Sequence, residues 1–182
     1  MKRLSFIPLL LLLACGQQQA PGNESSVAEA APGAGQSAVQ DETSERDVVR
    51  VAVNSPVHTT LVTALKTAEY VDALSNAGPF TVFAPTNEAF DKLPAGTVEN
   101  LLKPENKEAL RNILEYHVYV GVIREEMIQD GMNLNQVNLD NITLHKKGDA
   151  ITVNDARVLG VVKASNGVVY VIDAVLLPPD KK

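Results

Sequence analysis

Thr86 and Glu88, in the stretch from Gly78 to Phe90 (GPFTVFAPTNEAF), are residues whose types could do chemistry: a hydroxyl nucleophile beside a carboxylate base. Covalent catalysis needs a third group that orients the base, and nothing in the sequence around them supplies it. The same stretch has a simpler use. Thr86 and Asn87 follow Pro85 and precede Phe90, a pattern in which side-chain oxygens accept hydrogen bonds from the free N–H groups of a helix start. Thr86 and Asn87 are therefore expected to be structural.

Other candidate chemistry is equally thin. His58, His117 and His145 are far apart, without the close spacing that preorganises a metal site. Glu125 and Glu126 are adjacent, so they cannot face one point from a helix. Ser55 and Ser165 lack the strand–turn–helix context of an activated serine. Gly33 to Ala38 (GAGQSA) matches a dinucleotide glycine pattern, but that pattern needs a strand before it and a helix after it, and it lies in low-complexity sequence. The expectation is a protein without catalytic residues, cofactor or metal.

The chain begins with Lys2-Arg3 and an apolar run from Leu4 to Leu13. Ten helical residues rise roughly 15 Å, half of a ~30 Å hydrocarbon core, so the run reads as a processing signal and not as a span. It ends in Leu12-Leu13-Ala14-Cys15, which resembles the lipobox of bacterial lipoproteins. That resemblance implies that residues 1–14 are removed and that Cys15 carries a diacylglyceryl lipid, palmitate-type acylation holding the protein to a membrane. Gly16 is not the aspartate that marks inner-membrane retention in enteric bacteria, so the outer membrane or cell surface is the expected location. Cys15 is the only cysteine, which excludes an intrachain disulfide.

Residues 16–45 hold five acidic and no basic residues and are rich in Gln, Ala, Gly, Pro, Ser and Glu. Such a segment cannot bury enough surface to offset the entropy of ordering it. Residues 15–45 are thus expected to be a lipidated cysteine followed by a disordered acidic tether. From Arg46 on there are fourteen basic and seventeen acidic residues, no basic patch, and so no expectation of nucleic-acid binding. Residues 46–179 have the size of one domain, and 180–182 are left as a tail. The sequons Asn23-Glu24-Ser25 and Asn141-Ile142-Thr143 say little in a bacterial envelope.

The elements that must position these residues show two different periods. Val48, Val49, Ala52 and Val53 fit a helical face, although a run this short suits a strand too. Leu61, Ala64, Leu65 and Ala68 recur at helical spacing, predicting a helix that continues to about Ser75. In Phe80–Ala84 the side chains alternate, with apolar residues on both faces, predicting a strand covered on both sides. Short helices are expected near Thr97–Leu102 and after Pro104, where Leu110, Ile113, Leu114 and His117 share a face. Ile142 and Leu144, then Ile151 and Val153, alternate as strands. Val168, Tyr170 and Ile172 should share one strand face, and Asn166-Gly167 is expected to be the two positive-φ residues of a hairpin turn. Helices first and strands later, without βαβ alternation, predict an α+β fold.

Three motifs in order identify a family. The stretch from about Asp47 to Pro178 resembles a fasciclin (FAS1) domain: GPFTVFAPTNEAF its first box, Tyr116-His117 its tyrosine–histidine motif, and Asn166 to Pro178 (NGVVYVIDAVLLP) its second box. The resemblance implies a β-sandwich-like wedge with helices packed around it, the two boxes close together in the core, and a role in adhesion or contact with an extracellular protein, matrix or polysaccharide. Asn166, Gly167 and Asp173 are carried over as structural positions of the second box, and Tyr116 and His117 as candidate recognition residues. His117 also lies on the apolar stripe of its helix, where a buried, hydrogen-bonded histidine is the ordinary expectation. Glu69-Tyr70 stands where relatives often carry Gly-Leu, and His58 where an aromatic residue is common. Two functions are expected from different classes: a lipid-anchored envelope protein mediating adhesion or protein contact, or a periplasmic module binding a small apolar ligand or a partner chain.

Overall fold

The computed structural model describes residues 46–179. The expected signal peptide, Cys15, acidic tether and tail lie outside the described residues. Six α-helices and seven strands are described: α1 (Val48–Val53), α2 (Thr59–Thr67), α3 (Val71–Ser75), β1 (Phe80–Pro85), α4 (Asn87–Asp91), α5 (Thr97–Leu101), α6 (Lys107–Tyr116), β2 (Val118–Val120), β3 (Met132–Asn135), β4 (Asn141–Lys147), β5 (Ala150–Val153), β6 (Ala156–Ala164) and β7 (Gly167–Ile172). No helix among them is long and apolar enough to cross a membrane.

Asp47 settles the ambiguous valine run as a helix, because its carboxylate accepts from Arg50 N at 2.7 Å and caps α1. The continuous helix expected up to Ser75 is instead two. Glu69 takes φ 53°, and Tyr70 N returns to the Leu65 carbonyl. At 100° per residue a straight helix would put Tyr70 about 140° round from Leu65; the break lets Leu65, Ala68, Tyr70 and Leu74 all be buried in one cluster.

The strands form one sheet in the order β2-β1-β7-β6-β5-β4-β3. Every neighbouring pair is antiparallel except the second, where β1 runs parallel to β7 with Phe80 opposite Gly167 and Pro85 opposite Ile172. The long β6 pairs with β5 through Arg157 and Ala156 and, past a bulge between Val158 and Gly160, with β7. It therefore belongs to both halves of the sheet.

Alternation along β1 and β7 divides the apolar residues into two cores. Val82, Ala84 and Val169 join the helices, packing with Val49, Leu61, Leu65, Leu74 and Leu114. Phe83, Val168, Tyr170 and Ile172 face the other way and pack with Ile142, Leu144, Ile151 and Val153 of the far half-sheet. The result is a sandwich-like β core with helices covering its other face, an α+β domain. Burying a side chain of this size contributes roughly 1.5–3 kcal/mol, so both cores draw on the same two strands for much of their cohesion.

Candidate functional site

Tyr116 and His117 end α6 at the point where both cores meet. Each is 3% exposed. The Tyr116 hydroxyl donates to the Asn141 carbonyl at 2.9 Å and accepts from Asn154 Nδ2 at 3.3 Å, fastening α6 to β4 and to the β5–β6 turn. His117 Nδ1 bonds the Ile113 carbonyl at 2.8 Å, and its Nε2 accepts from Leu176 N at 3.0 Å. A ring that donates through Nδ1 and accepts through Nε2 is neutral, with one tautomer selected. Burial holds its pKa down to about 4, with the Ile113 carbonyl opposing weakly. The His117 carbonyl also accepts from Phe83 N, so one residue links α6, β1 and the segment after β7. In the folded domain both side chains are buried, with their polar atoms in bonds within the fold.

The second box differs from its expected turn. Ala164 pairs with Gly167, so the two turn residues are Ser165 and Asn166, and neither Asn166 nor Gly167 has a positive φ. Asn166 is instead a three-way side-chain bracket. Its Oδ1 accepts from Val48 N at 2.9 Å, while Nδ2 donates to the carbonyls of Leu74 at 2.8 Å and Asn76 at 2.9 Å. Gly167 has a steric reason. A Cβ there would lie 2.0 Å from the Phe80 carbonyl oxygen, so only glycine lets β7 approach β1 at this register.

Thr86 Oγ1 accepts from Ala89 N at 3.3 Å and caps its own helix α4. Asn87 caps a different helix: its Oδ1 accepts from Thr60 N at 3.1 Å and Thr59 Oγ1 at 3.2 Å at the start of α2. Glu88 points outward and is exposed. Asp173 closes the β6–β7 corner, its carboxylate accepting from Arg157 N at 2.8 Å and pairing with Lys92 Nζ at 3.6 Å. Thr86, Asn87 and Asp173 are thus engaged in holding elements together.

The remaining histidines are separate. His58 is buried just before α2, with Nδ1 2.8 Å from Ser55 Oγ and Nε2 buried without a hydrogen-bond partner; burial lowers its pKa, with the Ala84 backbone opposing. His145 lies on β4 in contact with Asp130 at 2.9 Å, at the surface. Among the described residues no group of three or more His, Cys, Asp or Glu could hold a metal ion.

Sequence reasoning missed several features. Thr81 Oγ1 donates to the Gly121 carbonyl at 2.7 Å and accepts from Ile123 N at 3.0 Å, organising the chain after β2; a threonine in an otherwise apolar strand was the available signal. Leu139, at φ 71°, is 77% exposed on a loop held by Asn135, Asn138 and Asp140, and three asparagines in seven residues marked it. Two open clefts flank the β6–β7 turn. One, about 920 Å³, runs past Arg50, Arg124 and Lys163 but also Asp47 and Glu126. The other, about 710 Å³, lies between the α1–α2 connection and β6. Between helices and sheet the described residues enclose a void of about 20 Å³ lined by residues such as Leu61, Leu114 and His117, room for one water-sized sphere.

Comparison with known proteins agrees with this architecture. A family model described as the fasciclin domain matches residues 56–178. The protein sll1483 of Synechocystis is 50% identical over 133 residues, covering 72% of this chain and 73% of that one. Cell surface glycolipoprotein MPB83 of Mycobacterium bovis is 39% identical over 137 residues, covering 72% of this chain and 60% of its own length. Immunogenic protein MPB70 of the same species is 39% identical over 142 residues, covering 75% and 71%. The solved structure of a FAS1 domain pair from the insect cell adhesion molecule fasciclin I superposes with a TM-score of 0.65 at 18% identity, over 72% of this chain and 51% of that one.

Proposed function

The chain belongs to the fasciclin domain family, and from that premise we propose that it is a lipid-anchored cell-envelope protein whose single domain mediates adhesion or contact with an extracellular protein or matrix component. The observation that carries this reading is the use made of the family motifs. Thr86, Asn87, Tyr116, Asn166 and Asp173 have their side-chain polar groups in bonds within the fold, as does His117. A domain built this way has its surface to offer, not a reaction centre. The names of the mycobacterial relatives, cell surface glycolipoprotein among them, support a surface location, and Cys15 at the end of an apolar run supports a lipid anchor. A periplasmic carrier of a small apolar ligand finds less support, because the void between helices and sheet is far smaller than the 300–1,000 Å³ of ordinary ligand pockets.

The test is attachment of cells carrying the full gene against cells in which residues 46–179 are deleted and residues 1–45 kept. Attachment should fall in the deletion strain and return on complementation. Unchanged attachment would count against the adhesion reading. Protease treatment of intact cells should release domain fragments; protection would place the domain inside the envelope.

A further inference from the structure

The cleft between the α1–α2 connection and β6 has apolar walls and a one-signed rim. Val57 and Val162 stand 48% and 41% exposed along it, with Val51 and Val171 part-buried behind them. Arg46 and Lys163 are its charged lining residues, and no carboxylate lines it. This is unusual in a chain of net charge −6. The neighbouring cleft differs, since Asp47 and Glu126 offset its cations.

We propose that this cleft takes the acidic stretch Val39–Glu45 of the same chain. Three observations point to that occupant. The described chain starts at the cleft: Arg46 lines it, and the Arg46 carbonyl accepts from Ser165 N at 3.0 Å beside Lys163. The residues immediately before Arg46 are Val39-Gln40-Asp41-Glu42-Thr43-Ser44-Glu45, one branched apolar side chain and three carboxylates with no cation, the complement of an apolar floor with a basic rim. Seven residues reach up to about 24 Å, ample for a cleft of about 710 Å³ that begins at their last residue. Covalent attachment makes the encounter intramolecular, at an effective concentration in the millimolar range, so contacts too weak to hold a free peptide suffice. Val39 covers Val57 and Val162, and the carboxylates of Asp41 and Glu42 face Lys163 and Arg46. Because the driving charges are at the surface, the contact weakens as salt shortens the Debye length below about 8 Å. The inference does not depend on the adhesion reading, and its outcome leaves that reading untouched.

The test uses the chain from position 15 with Cys15→Ser and a nitroxide attached to Gln40→Cys, observed by amide NMR at Val57 and Val162. The control carries the same label with Asp41→Lys, Glu42→Lys and Glu45→Lys, so covalent distance is held constant. Paramagnetic broadening at both valines should be at least threefold stronger with the acidic sequence. It should drop likewise in Lys163→Glu and recover when Lys163→Glu is combined with the three lysine substitutions. Equal broadening in the acidic and reversed chains would overturn the proposal. Broadening seen only on mixing labelled with isotope-enriched unlabelled protein would also overturn it, by putting a second copy in the cleft.

Discussion

Both ring nitrogens of His117 are engaged in ways that require a neutral ring, and this makes a pH prediction. The unfolded chain takes up a proton near the ordinary 6.5, the folded one near 4. Between those values the unfolded state binds more protons, so stability is complete above about pH 6.5 and declines as pH falls to about 4, by roughly 3 kcal/mol at about 1.4 kcal/mol per unit. His58, lowered in the same direction by burial, adds to the same slope. Thermal unfolding followed from pH 7.5 to 4 should show the decline, and His117→Gln, while less stable at neutral pH, should show a flatter profile. An equally steep profile in His117→Gln would place the acid sensitivity elsewhere. A second residue-scale prediction concerns Glu69. Its φ of 53° costs a non-glycine residue about 1–2 kcal/mol, offset slightly by an exposed ion pair with Lys107 at 2.7 Å. Glu69→Gly should therefore raise stability by up to about 1 kcal/mol in denaturant titration, and a loss would mean that the Lys107 pair outweighs the backbone strain.

Elements show how much of the fold was legible in the sequence. Period alone located β1, β4, β5 and β7 and sorted the faces of β1 and β7 correctly, because alternation of Phe80–Ala84 and Val168–Ile172 directly encodes two covered faces. The capping role of Thr86 was legible too, being local. What period could not supply was partner and path. The α2–α3 break depends on burying Tyr70 in the same cluster as Leu65, a tertiary demand. Asn166-Gly167 carried a hairpin signal, but the glycine is required by the parallel neighbour β1 and the asparagine by α1 and α3, none of which is near in sequence. The burial of His117 was legible from its place on the apolar stripe of α6, but the partners of Tyr116 and His117 were not, since those acceptors and donors come from β4, the β5–β6 turn and the segment after β7. The prediction at this scale is that Gly167→Ala, whose added carbon would meet the Phe80 backbone, separates β7 from β1. It should cost more than about 3 kcal/mol or prevent folding, whereas Gly148→Ala, with open space but φ 61°, should cost only about 1 kcal/mol. Comparable losses for both would show that the close approach is not limiting.

The described residues build two apolar cores, with β1 and β7 between them. Because β1 and β7 contribute to both, the helical layer and the far half-sheet should lose structure together. Far-ultraviolet circular dichroism, which reports on the helices, and near-ultraviolet dichroism of the tyrosines, with Tyr116 and Tyr170 in the β core, should give superimposable urea transitions. Separated midpoints would mean that one core survives alone. The proposed function draws at this scale on surface rather than on a cavity, and two open clefts beside the β6–β7 turn belong to that surface.

The parallel seat of β7 also sets a schedule for biosynthesis. β1 lies one strand in from the sheet edge, yet its parallel neighbour β7 follows only after five intervening strands, and the bracket that anchors β7 spans 118 positions from Val48 to Asn166. A nascent polypeptide halted at Ser165 would lack not a trimming at the rim but the keystone, leaving β1 bare on one side. Such a product should remain open to proteases and chaperones until Gly167–Ile172 is delivered, so that the arrival of β7 itself acts as the checkpoint for closure.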